Sequence, residues 1–155
     1  MIQRKQTLFL LFAIISFILT TFMPLGTVEA TDTLEATNTV TSLGVIDGNN
    51  GKISYPFYAI PLFLLTLNAF YSLAIIFMYK NRKTQALHCY IQLLSILVEI
   101  IACGALIMQT SVGEGHTFHA ASALSLPIVA MIFILLAHHG IMADERLVRS
   151  IDRIR

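Results

Sequence analysis

At 155 residues, with 56% hydrophobic and only 12% charged residues, the chain is more apolar than a soluble domain, where about 45–50% and 25% are usual. A soluble fold of this composition would lack the polar groups to cover its own surface. The formal net charge of +1 excludes a strongly basic or acidic surface and acquires meaning only when the charges are placed along the chain.

Four apolar segments have about the 20 residues needed to cross a bilayer. The first, residues 7–25, follows Arg4 and Lys5. It reads either as a retained helix or as a signal peptide, with Val28-Glu29-Ala30 as the cleavage site. Its apolar run exceeds the usual h-region of about 7–15 residues, which favours the retained helix. Next comes a polar loop, residues 31–55, rich in Thr, Asn and Gly. The β-branched stretch Thr39–Ile46 suits a strand, Asp47-Gly48-Asn49-Asn50-Gly51 accepts positive φ, and Lys52–Tyr55 can return as a second strand. A small hairpin and a loop without fixed structure both remain open, because a lone hairpin is marginal in water.

The second segment, residues 57–79, follows Pro56 and has Pro61 in its first turns; the third spans 87–108 and the fourth 120–142. Pro127 is expected to loosen a turn of the fourth, which membrane helices tolerate. Cys89 and Cys103 share the third segment, where a helix holds their Cα atoms about 21 Å apart, too far for a disulfide. No C-x-x-C pair supports a zinc or thiol-redox site. The tail, residues 143–155, has Leu147, Ile151 and Ile154 on one face beside Arg146, Arg149, Arg153 and Arg155. It is either an interfacial helix whose arginines reach anionic lipid or a continuation of the fourth helix that meets a partner.

Of the ten Lys and Arg residues, all but Lys52 fall on one side of this arrangement, in the N-terminus, the Lys80–Lys83 loop and the tail. Glu29, Asp32, Glu35, Asp47 and Glu114 lie on the side of Lys52. The positive-inside rule then places both termini in the cytoplasm. The expected fold is an all-α, up-down bundle of four transmembrane helices forming a single domain, with residues 31–55 outside.

Glu99 is a carboxylate near the middle of a span, where a charge is costly and a polar group faces the bundle interior. At about 100° per residue, His88, Gln92, Ser95 and Glu99 share one sector of the third helix. Asn68 of the second helix lies at nearly the depth of Glu99, Ser72 lies one turn away, and Ser16 of the first helix is also near the midplane. Two readings follow: a proton relay from Glu99 toward His88, or a neutral Glu99 hydrogen-bonded to Asn68 or Ser16 that clamps helices together. The clamp is favoured, since a transporter needs a wet cavity or inverted repeats that the sequence does not show. His138 and His139 are adjacent and point apart. His116 and His119 share a face if the fourth helix begins early, but two histidines alone make a weak metal site. Tyr71 reads as a packing aromatic.

The opening Met1-Ile2-Gln3-Arg4-Lys5-Gln6-Thr7, the loop Lys80-Asn81-Arg82-Lys83-Thr84-Gln85 and the tail from Asp144 to Arg155 resemble a bacterial four-helix inner-membrane family known only as a domain of unknown function. The resemblance spans the chain, with the tail its most diagnostic part. It implies a retained first helix and an inner-membrane location, and it brings no activity, cofactor or catalytic residue. The expected role is an accessory or structural subunit that packs against another membrane component. A homo-oligomeric proton-coupled transporter or channel built on Glu99 comes second. A membrane enzyme comes third, since no Ser/His/Asp arrangement supports one. The few basic residues lie beside the membrane, which argues against nucleic acid.

Overall fold

A computed structural model describes residues 3–30, 37–55, 59–113 and 116–152. Four long helices carry the chain: α1 (Gln3–Phe22), α2 (Ala59–Phe77), α3 (Arg82–Gly113) and α4 (Leu126–Asp152). Each is long and apolar enough to cross a membrane. They run up and down, each packed on its neighbour in sequence, with α4 closing the ring against α1.

The buried positions explain this packing. Gln6, Leu10, Ala13, Phe17 and Thr20 of α1 are buried, as are Ala130, Ile134, Ala137, Ile141 and Asp144 of α4. Leu65, Asn68, Ser72 and Ile75 line α2, and Gln85, Cys89, Gln92, Ile96 and Cys103 line α3. In α1, α2 and α4 the spacing alternates between three and four residues, and in α3 it does so as far as Ile96 and then steps seven to Cys103. This is the seven-residue repeat that keeps one stripe facing inward in a gently coiled bundle. The outward faces are equally apolar. Leu8, Phe12, Ile15, Phe63, Phe70, Phe77, Val98, Ile101, Ile132 and Leu135 are all exposed. A helix apolar on every face requires a surrounding medium that is itself apolar.

Local signals set the helix ends. Asn81 starts α3: its Oδ1 accepts the Thr84 N–H at 3.3 Å and its carbonyl the Gln85 N–H at 2.9 Å, an N-cap arrangement. The third helix therefore begins five residues before the expected Leu87. At the fourth, a 3₁₀ turn (Ser122–Ser125) leads into α4, so Pro127 sits in the first turn, where its missing N–H breaks no helical bond. The expected mid-helix loosening does not occur. α4 then runs unbroken through Asp152, so of the two readings of the tail the structure shows a continuation of the fourth helix.

The all-α expectation is corrected by an antiparallel sheet of five strands at the end of the bundle opposite both helical termini. Its strands are β1 (Gly26–Ala30), β2 (Asn38–Thr41), β3 (Gly44–Ile46), β4 (Ile53–Ser54) and β5 (His116–Ala120), in the order β4-β3-β2-β1-β5. The β3–β4 turn forms where expected: Gly51 has φ +62°, and Asp47 Oδ1 accepts the Asn49 N–H at 2.9 Å, a side-chain-braced turn. The stretch Thr39–Ile46, however, is two strands folded back at Ser42 and Leu43. Gly44 makes this possible with φ +137°, a conformation essentially restricted to glycine. Val28 to Ala30, the candidate cleavage site, lies inside β1, all three residues paired with β5 and Val28 with β2 as well. Backbone bonds from Leu25 N to Val40 O (2.8 Å) and from Ala121 N to Leu25 O (3.0 Å) tie the sheet to the end of α1. Gly26 is required here, because a Cβ would collide with the Phe118 ring and lie 2.8 Å from the His119 carbonyl oxygen.

Candidate functional site

The α2–α3 seam carries a ladder of polar side chains. Asn68 Nδ2 donates to Glu99 Oε2 at 2.8 Å and to its own helix at Leu64 O, 3.1 Å. Gln92, fully buried, donates through Nε2 to Ser72 Oγ at 2.7 Å and to the Asn68 carbonyl at 3.0 Å. Ser95 Oγ lies 3.4 Å from Asn68 Oδ1. Four of the six residues expected to cluster, together with Ser72, therefore form one connected network: Glu99, Asn68, Ser95 and Gln92.

His88 lies on the same face but is bonded elsewhere. Its Nδ1 meets the Tyr71 hydroxyl at 2.8 Å, with the rings edge-on at 5.9 Å. Among the described residues no hydrogen bond joins His88 to Gln92. Gln85 adds a last rung, donating to Ile75 O at 3.1 Å. Sequence reasoning missed Tyr71 and Gln85. The spacing Gln85–Gln92–Glu99, seven and seven, was the available signal for Gln85; nothing local marked Tyr71 as a histidine partner.

Ser16 is not part of the network. Its Oγ donates to Phe12 O in its own helix at 2.9 Å, the usual way a helical serine satisfies itself. The first helix meets the others through different polar contacts. Ser42, buried at the β2–β3 turn, lies 3.3 Å from Thr20 O and 3.1 Å from Thr66 Oγ1, so the turn is pinned between α1 and α2. At the opposite end Gln6 Nε2 donates to Asp144 Oδ2 at 2.5 Å, with both side chains buried. Gly140 lets α1 approach, since a Cβ there would stand 3.0 Å from Gln6 Cγ.

The histidine pairs make no chelating site. His116 and His119 both lie on β5, not at the start of the fourth helix, and among the described residues no group of three or more His, Cys, Asp or Glu could hold a metal ion. His119 instead sits 3.8 Å from Glu29 on β1. His138 packs against Tyr90, with ring centroids 6.5 Å apart. Of the tail arginines, Arg146 is exposed and bonds back to Met142 O at 3.3 Å. Arg149 falls within α4, and Arg153 and Arg155 lie outside the described residues.

The three segments that carried the family resemblance meet at one end of the bundle. Gln6 contacts Asp144, and Lys83 stands 4.0 Å from Glu145. A family model described as a domain of unknown function (DUF4293) matches residues 2–154, and the chain belongs to that family. No curated protein matches it.

Proposed function

We propose that this family member is a four-pass protein of the bacterial inner membrane, an accessory or structural subunit that packs against another membrane component and performs no chemistry of its own. Both termini lie in the cytoplasm and the sheet in the periplasm, as the distribution of Lys and Arg favours. The observation that carries the role is how the ladder uses its groups. Asn68, Gln92, Ser95 and Glu99 bond across one helix pair, and this network stops short of His88. Polar groups spent in this way fix helix against helix, leaving the apolar outer faces for partners.

A proton-coupled homo-oligomer working through Glu99 is the second reading. One observation favours it: Gln92 Oε1 is a buried acceptor without a protein partner among the described residues, at the position where the network would have to continue toward His88. Cross-linking in native membranes followed by purification separates the two. A foreign protein recovered in fixed stoichiometry supports the subunit. A symmetric oligomer of this chain alone, with a proton flux that Glu99→Gln abolishes, would sink it.

A further inference from the structure

At the end of the bundle that carries Lys80, Arg82 and Lys83, the outer sides of α3 and α4 part to leave a groove of about 380 Å³. Its walls are Ala86, Leu87, Tyr90, His138 and Met142, with His138 against Tyr90, and its rim holds Lys83, Glu145 and Arg146. The rim is cationic in excess and keeps donors to spare. Lys83 meets Glu145 at 4.0 Å, yet its side chain remains 66% exposed. Arg146 spends its Nε on Met142 O, one of five N–H donors in a guanidinium. The apolar walls continue into exposed Ile91 and Leu94 of α3 and Leu135 of α4. A cationic mouth opening onto an apolar slot, at the edge of an apolar band, is complementary to an amphiphile with an anionic head.

We propose that this groove binds an anionic phospholipid, its phosphate held by Lys83 and Arg146 and an acyl chain laid along Leu87, Tyr90 and Met142. The site goes beyond the subunit reading and does not depend on it, because it needs only lipid and one basic end. The test uses the full-length protein in detergent, stripped of lipid and titrated with phosphatidylglycerol or phosphatidylcholine of matched chains, with bound lipid counted by native mass spectrometry. Phosphatidylglycerol is expected to bind about tenfold more tightly. The paired change Lys83→Gln with Arg146→Gln should abolish that preference, while Lys52→Gln, at the other end, should leave it intact. Leu87→Trp keeps every charge and fills the slot, so it should weaken both lipids; it also serves if the paired variant does not fold. Equal binding of the two lipids to wild type, or a preference that survives the paired change, overturns the proposal. So does a dimer that Leu87→Trp splits without altering the lipid count, since a second copy would then occupy the groove.

Discussion

Asn68 uses its side-chain amide and its main-chain carbonyl on α3: Nδ2 to Glu99, the backbone oxygen to Gln92, Oδ1 facing Ser95. Replacing either member of the Asn68–Glu99 pair therefore tests whether the contact is a clamp. Glu99→Gln keeps an acceptor for Asn68 Nδ2, and unfolding in detergent should show little change. Glu99→Leu removes it and should cost near the ~0.6 kcal/mol average for such bonds in membranes, up to about 1.7. Asn68→Leu should cost more than Glu99→Leu, because it strands Glu99 and deprives Ser95 and Gln92 of Oδ1 in one step. The reverse order would show that the energy resides elsewhere in the seam. Gly44 makes a separate residue-scale case. Its φ is +137°, and a Cβ added there would lie 2.8 Å from Ser54 O. Gly44→Ala should therefore destabilise the sheet by about 1–3 kcal/mol. Faster proteolysis at the exposed Gly48–Asn50 turn would report it.

Among the elements, the contact of α1 with α4 has its own lock. Gln6→Leu would leave the buried Asp144 carboxylate without its amide donor, at a cost of about 1–3 kcal/mol. A lower melting temperature with preserved α2–α3 cross-linking is the expected result; an unchanged one would mean that Asp144 finds another donor. The helices were legible in the sequence because a 20-residue apolar run has few other fates. Most of the ladder was legible too, since His88, Gln92, Ser95 and Glu99 recur on one face. The sheet was not. Its inner strand β1 pairs with β5 from the far side of two helices, α2 and α3, and no local pattern announces a partner so distant. The turn at Ser42 and Leu43 lacks the usual Asn-Gly signature, with only Gly44 as a hint. Ser16 was misplaced because its position along the helix says nothing of which carbonyl a hydroxyl chooses. Arg153 and Arg155 remain matters of sequence alone.

For the whole molecule, the sheet at one end and the basic loop and helical termini at the other make the topology testable. A reporter active only in the periplasm should be silent when fused after Lys83 or Arg155 and active when inserted at Asn49, an exposed turn residue. Activity at Arg155 would overturn the proposed orientation. The pairing of β1 with β5 has a consequence for biosynthesis. Gly26 and Ala120 are partners separated by about ninety residues, roughly 5–20 s of translation. Under the proposed topology, β1 crosses the membrane early and waits, one edge open, until α3 has been inserted and β5 follows it out. During that interval the nascent chain offers an unpaired strand to whatever shares the compartment, so a ribosome stalled within α3 should leave it a target for chaperone capture or degradation.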